Sequence, residues 1–135
     1  MKTMKDEHSL PENYSYSEDH EWIDAMPEEA SGATVKVGIT SVAAERLGEV
    51  VYAELPQVGD PVTAGEPCGE VESTKSVSDL YSPVTGTVTA VNDAVHDDYA
   101  VINADPFGAG WLFAVEVSGV GPLMTAAEYA EANGV

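Results

Sequence analysis

The chain predicts a mostly β domain, and three features carry that prediction: its length of 135 residues, its punctuation by 12 glycines and 8 prolines, and the composition of the pieces between them. The length is that of one domain, large enough to bury a small core without disulfides or a structural metal. Most pieces are too short for helices and rich in Val, Ile, Thr and Tyr, which suit a pleated, half-buried surface. A hydrophobic content of 44%, with two Trp, six Tyr and two Phe, is that of a globular domain rather than a disordered acidic tail.

Residues 1–13 read as a flexible N-terminal tail and residues 14–135 as a single domain. Strands are expected over 14–16 and 21–26, then a turn-rich loop over 27–33 and a strand over 34–39. Thr40 is placed to cap a short helix over 41–47, which Gly48 stops at a position that wants a left-handed residue. A strand over 50–55 ends at Pro56. Gly59-Asp60-Pro61 and Gly65-Glu66-Pro67 read as turns. Strands over 68–72 and 77–81 flank the polar patch Ser73-Thr74-Lys75-Ser76, so that Lys75 falls at a hairpin tip. Residues 83–86 read as a turn, 87–91 as the cleanest alternating strand, 92–98 and 103–110 as polar loops, and 111–117 as a final apolar strand. A C-terminal helix is expected over 123–133, where Thr125 and Glu128 match a capping box.

Charge narrows the function classes. Five Lys and Arg against 24 Asp and Glu give a net charge of −19, and between Leu47 and Val135 fourteen carboxylates face one cation, Lys75. So acidic a surface does not neutralise phosphates, which argues against nucleic acid and anionic membranes and favours soluble partners with basic patches. No uncharged apolar run approaches a bilayer span, and the N-terminus lacks a signal-peptide core. The single Cys68 has no partner for an internal disulfide, so a reducing cytoplasm is the expected location.

Motifs for nucleophilic hydrolysis, zinc proteolysis, redox dithiols, phosphate loops and dinucleotide binding are all absent from the sequence. His8, His20 and His96 are scattered, and no metal site is expected. Cys68 lies near Glu66 and Glu70, whose charge would raise a thiol pKa, so it reads as structural. Lys75 stands out by isolation: its ammonium is expected to project into water from the hairpin, with turn residues spaced regularly on both sides.

The segment Glu72-Ser73-Thr74-Lys75-Ser76-Val77-Ser78-Asp79-Leu80-Tyr81-Ser82-Pro83-Val84-Thr85-Gly86 strongly resembles the lipoyl-lysine segment of the glycine cleavage system H proteins. Other motifs of that family recur in order: Tyr16-Ser17-Glu18-Asp19-His20-Glu21-Trp22, Val37-Gly38-Ile39-Thr40, Leu47-Gly48-Glu49-Val50-Val51 with Leu55-Pro56, and Ile102-Asn103 through Gly110-Trp111. The resemblance implies a lipoyl/biotinyl-carrier-type β-sandwich, or hybrid barrel-sandwich, with a short internal helix and a C-terminal helix. It implies lipoate joined to Lys75 by an amide, removing the last positive charge of that region. It also implies a carrier without catalytic residues of its own. Such a carrier shuttles an aminomethyl group and reducing equivalents between glycine decarboxylase, aminomethyltransferase and dihydrolipoyl dehydrogenase, after loading by a lipoate-attaching enzyme. A tethered arm raises the effective concentration of its cargo at each partner, and a monomer is expected.

By the same resemblance His20, Glu21 and Asp79 belong to the cleft that receives the loaded arm, Glu21 and Asp79 attracting its ammonium. Trp22 and Trp111 read as packing residues. Asp19 stands where Ser or Lys is common, and Asp98-Tyr99-Ala100-Val101 where some members carry Ser-Pro-Glu-Leu. Biotin carriers favour Met on both sides of the lysine, and lipoyl domains of 2-oxo acid dehydrogenases typically carry Asp before it; Thr74 and Ser76 match neither. An H-like lipoyl donor in lipoate relay, or in another lipoyl-dependent pathway, remains the alternative function.

Overall fold

A computed structural model describes residues 10–135. Its strands are β1 (Ser15–Tyr16), β2 (Glu21–Ile23), β3 (Thr34–Ile39), β4 (Val50–Glu54), β5 (Pro61–Val62), β6 (Pro67–Ser73), β7 (Val77–Tyr81), β8 (Val84–Val91) and β9 (Phe113–Val120). Its helices are α1 (Pro27–Ala30), α2 (Ser41–Leu47), α3 (Asp93–Asp97), α4 (Ala100–Ala104) and α5 (Ala126–Asn133). The strands form a six-stranded sheet in the order β1-β2-β3-β9-β8-β5 and a three-stranded sheet in the order β4-β6-β7. Every pairing within them is antiparallel. The expected mostly β architecture, with a short internal helix and a C-terminal one, is the architecture found.

Between the sheets lies one apolar core, with Val35, Val37 and Ile39 of β3, Val71 of β6, Leu80 of β7 and Phe113, Val115 and Val117 of β9 at its centre. Alternation builds it: in β3 the pattern Thr34-Val35-Lys36-Val37 sends the valines inward and the polar residues out. A second, aromatic cluster joins Tyr16, Trp22, Val42, Ala126 and Tyr129, and it ties α5 to β1 and β2. Trp22 stands directly across from Gly38 in the β2–β3 register. A Cβ on Gly38 would come within 2.5 Å of the indole, so the bulk of one residue requires the absence of a side chain on the other.

Local sequence signals performed well where a side chain meets its own backbone. Thr40 caps α2 by accepting from Ala43 N, and Thr125 and Glu128 form the expected capping box on α5. Gly48 ends α2 with φ 83° and ψ −159°, a positive φ as expected but extended in ψ rather than left-handed helical.

Other expectations are corrected. The loop over 27–33 contains α1, entered through Pro27 at its first turn. The loop over 92–98 contains α3, capped by Asn92, and Asn103 lies inside α4 rather than opening a loop. Pro61, assigned to a turn, pairs with Thr87. β8 begins at Val84 instead of after a turn over 83–86; Gly86 is required there because a Cβ would collide with the carbonyl oxygen of Glu116 on β9.

Of the expected tail, residues 1–9 lie outside the described residues. Leu10 packs against the aromatic cluster, and Pro11 accepts a hydrogen bond of 2.6 Å from the Tyr16 hydroxyl.

Candidate functional site

Lys75 stands in the middle of the three-residue loop, 74–76, that joins β6 to β7. Ser73 N donates to the Ser76 carbonyl at 2.8 Å to close the loop. Neither Thr74 nor Lys75 has positive φ, so this is not one of the primed turns that glycine or asparagine would support. The buried hydroxyl of Ser73 makes the turn instead: its Oγ accepts from Lys75 N and from Ser76 N, each at 3.1 Å. The tip also leans on the chain after α2, where the Glu49 carbonyl accepts from Thr74 N at 3.1 Å. Asn103 holds that support by accepting from Val50 N at 2.9 Å and donating to the Gly48 carbonyl at 2.8 Å.

The Lys75 side chain is exposed. Its Cε would lie 2.9 Å from a Cβ on Gly48, so Gly48 clears the path along which the lysine runs. No hydrogen bond or ion pair engages its ammonium among the described residues, and the side chain is open to solvent.

Beside the hairpin opens a cleft of about 220 Å³, with Asp19, His20, Glu21, Arg46 and Asp79 among its lining residues and Ile39, Val71 and Leu80 on its apolar surface. The structure therefore brings together the three residues assigned to a cleft from the sequence.

Their environments differ sharply. Glu21 is 2% exposed; its Oε1 accepts from Ser17 Oγ at 2.8 Å and its Oε2 from Tyr81 N at 3.1 Å. Burial pushes its pKa up to about 8, against these two hydrogen bonds, which favour the charged form. A cation entering the cleft would draw it back toward the carboxylate. Asp79 is exposed and faces Glu70 across the β6–β7 pair. His20 is half-buried, with its pKa lowered by burial and by Arg46 and raised in part by Asp19.

Comparisons with known proteins agree on what this arrangement belongs to. The Glycine cleavage H-protein family profile matches residues 14–133. The chain belongs to the glycine cleavage H-protein family. A glycine cleavage system H protein from Corynebacterium aurimucosum is 74% identical over 127 residues, covering 94% of this chain and 98% of that protein. A namesake from Corynebacterium jeikeium is 54% identical over 125 residues, covering 93% and 98% respectively. Among solved structures, the crystal structure of a glycine cleavage system H protein from Mycobacterium marinum matches with a TM-score of 0.90 at 54% identity, covering 93% of this chain and all of that one. The lipoyl-carrier fold expected from the sequence is thus the fold this chain has.

The H-protein motifs now have physical reasons. Val37-Gly38-Ile39-Thr40 accommodates Trp22, whose Nε1 is 3.0 Å from both the Ile39 and Pro106 carbonyls. Trp111 is half-buried beneath Lys36, whose Nζ lies 5.0 Å from its ring. Both tryptophans are packing residues, as expected. Cys68 carries a pKa pushed up to about 12; burial is the main cause and Glu21 the second, in place of Glu66 and Glu70. Sequence reasoning missed Ser73, Asn103 and Arg46 as parts of the site. Ser73 and Asn103 stood inside the quoted motifs, whereas nothing in the local sequence ties Arg46 to His20, twenty-six positions away. No group of three or more potential ligands that could hold a metal is found among the described residues.

Proposed function

We propose that this H-protein family member carries lipoate on Lys75 and shuttles an aminomethyl group and reducing equivalents among glycine decarboxylase, aminomethyltransferase and dihydrolipoyl dehydrogenase. The observation that supports it best is the hairpin: a solvent-facing ammonium without a partner among the described residues, at the tip of a turn held by Ser73 and braced by Glu49. The amide would form at Nζ, with the side chain running over Gly48. Lipoate supplies a dithiolane that accepts electrons by exchange with thiolates and holds cargo on sulfur.

What the chain itself contributes is placement and shelter. The rigid turn presents Nζ in one orientation to the enzyme that attaches the arm. Residues 14–135 act as one carrier domain. The apolar surface of Ile39, Val71 and Leu80 excludes water from part of the cleft, and Glu21 and Asp79 offer oxygens to an ammonium. Burial pushes the pKa of the Glu21 carboxyl up to about 8 and so favours its neutral form until that cation arrives, which limits the uncompensated charge held inside in the meantime. Among the described residues no helix is long and apolar enough to cross a membrane; together with the bacterial relatives this supports a place in the cytoplasm.

The test is direct. Intact-mass analysis of protein made with a lipoylating system should show one lipoyl addition, lost completely in Lys75→Ala. Reconstitution with the three partner enzymes should then give glycine-dependent release of carbon dioxide. No addition on the parent protein refutes the carrier role, and a lipoylated protein that supports no release moves the assignment to lipoyl relay.

A further inference from the structure

His20 holds a backbone conformation that a histidine does not favour by itself. Its φ is 74°, the one positive φ outside glycine among the described residues. Such a residue persists only where its surroundings over-determine it. The backbone is fixed on both sides: His20 N donates to the Ser17 carbonyl at 3.1 Å, and the His20 carbonyl accepts from Thr40 N at 3.0 Å.

The ring is held from two helices. Nδ1 lies 2.7 Å from the Tyr129 hydroxyl on α5, and Nε2 lies 3.3 Å from Arg46 Nη1 on α2. A guanidinium nitrogen only donates, so Nε2 accepts, and an imidazole that accepts at Nε2 carries its proton on Nδ1. That proton goes to the Tyr129 oxygen. The Tyr129 proton then goes to Thr40 Oγ1 at 2.8 Å, which also accepts from Ala43 N at 3.1 Å. Donation runs in one direction from Arg46 through His20 and Tyr129 to Thr40.

We propose that Arg46 and Tyr129 are positioning residues of the cleft, together holding His20 as a neutral imidazole with its proton on Nδ1. His20 then adds no positive charge beside Glu21, and the Arg46 guanidinium that also lines the cleft lies at its exposed rim. This rests on the reading of the cleft given above.

The charged and titratable groups around the ring and its cleft are Asp19 and Glu21 on its own segment, Arg46 on α2, Asp79 on β7 and Tyr129 on α5. Protonating Nε2 would set one donor against another across 3.3 Å and add a cation beside a guanidinium. Burial and Arg46 both lower the pKa of the ring, and Asp19 opposes them in part. Arg46 itself is exposed, so its charge is screened by water at the rim. Tyr129 is fully buried and stacks on Tyr16 at 5.1 Å. In this way the C-terminal helix, 109 positions away in sequence, sets the orientation of a cleft residue.

The experiment uses the full chain, labelled with ¹⁵N-histidine and without the arm. Long-range ¹H–¹⁵N spectra are expected to show His20 as the Nδ1–H tautomer. It should be less than half protonated at about pH 6.5, where an unperturbed histidine is half protonated. Arg46→Ala should raise its titration midpoint and give a mixture of tautomers, Arg46→Lys should restore the parent pattern, and Tyr129→Phe should give a mixture with the ring still in place.

In the lipoylated, cargo-loaded protein, Arg46→Ala should release cargo several-fold faster than the parent near pH 6 but no faster near pH 8, on either side of the ordinary histidine range. An Nε2–H or doubly protonated His20 in the parent at pH 7 overturns the proposal, as does an Arg46→Ala protein with unchanged tautomer and titration. Identical release profiles in the two loaded proteins overturn the link to cargo. A parent that takes up no lipoate would refute the carrier role while leaving the tautomer result intact, so the two failures are distinguishable.

Discussion

The Lys75 hairpin and the His20–Glu21 wall lie beside one cleft and are built in opposite ways. The hairpin is local: its turn is closed by Ser73 and Ser76, three positions apart, and its functional side chain has no partner among the described residues. The wall is long-range: Glu21 accepts from Tyr81, sixty positions away, and His20 meets Tyr129, 109 positions away, with both carboxylate oxygens of Glu21 and both ring nitrogens of His20 engaged. A group that must be modified and swing free is best held only at its backbone. A group that must receive a charge is best held through its side chain, because burial without partners would cost several kcal/mol.

Breaking the wall should therefore change stability and its pH dependence, whereas breaking the hairpin should change modification. The largest expected effect is at Glu21. Its folded pKa is pushed up to about 8, while the unfolded chain ionises near the ordinary value of about 4.3. Between those limits the folded protein holds a proton that the unfolded one has lost, so this residue makes stability fall as pH rises, by up to about 1.4 kcal/mol per pH unit. Glu21→Gln, whose amide can donate to Ser17 Oγ, should remove that contribution. Urea titrations of both proteins across the window should give curves whose difference shrinks toward low pH; parallel curves would mean that Glu21 is ionised in the fold.

Next in size is Ser73→Ala, which leaves the N–H groups of Lys75 and Ser76 without their acceptor. A loss of about 1 kcal/mol is expected, with slower lipoylation and an unchanged pH profile of stability. An unaltered lipoylation rate would show that the modifying enzyme does not need the turn prearranged.

The smallest effect concerns the exposed face of the three-stranded sheet. Glu54, Glu70 and Asp79 stand in a cross-strand row, Glu70 directly opposite both of the others. Like charges so placed repel. Glu70→Gln should raise the denaturation midpoint by the equivalent of about 0.2–1 kcal/mol, and the gain should fade with added salt. A gain that survives salt would point to packing rather than charge.

The sequence was informative wherever a side chain acts on backbone a few positions away. Thr40 and its helix, Thr125 with Glu128, and the hairpin flanking Lys75 follow from such short-range chemistry, and the motifs around them sufficed to indicate the family. Strand limits were less legible where a glycine serves steric clearance rather than a turn. Gly86 looks like a turn residue in the sequence, and only the carbonyl of Glu116 on the neighbouring strand explains why it sits within β8. Helix α3 falls in the loop expected over 92–98 and the end of α4 in the loop expected over 103–110, because five-residue helices carry too little periodicity to be recognised.

The site divides along the same line. The isolation of Lys75 as a cation and its position in a short polar loop between two strands are properties of the chain order, so the sequence by itself determined the attachment point to test. Which carboxylate is buried and which exposed was decided by the tertiary structure, since Glu21 and Asp79 offer the same functional group in the sequence and what packs over each sets them apart. The tertiary structure also decided that Arg46 and Tyr129 meet on the two nitrogens of one imidazole. Burial and hydrogen-bond direction arise from residues far apart in sequence, and the order of the chain does not specify either until the sheets and α5 have closed.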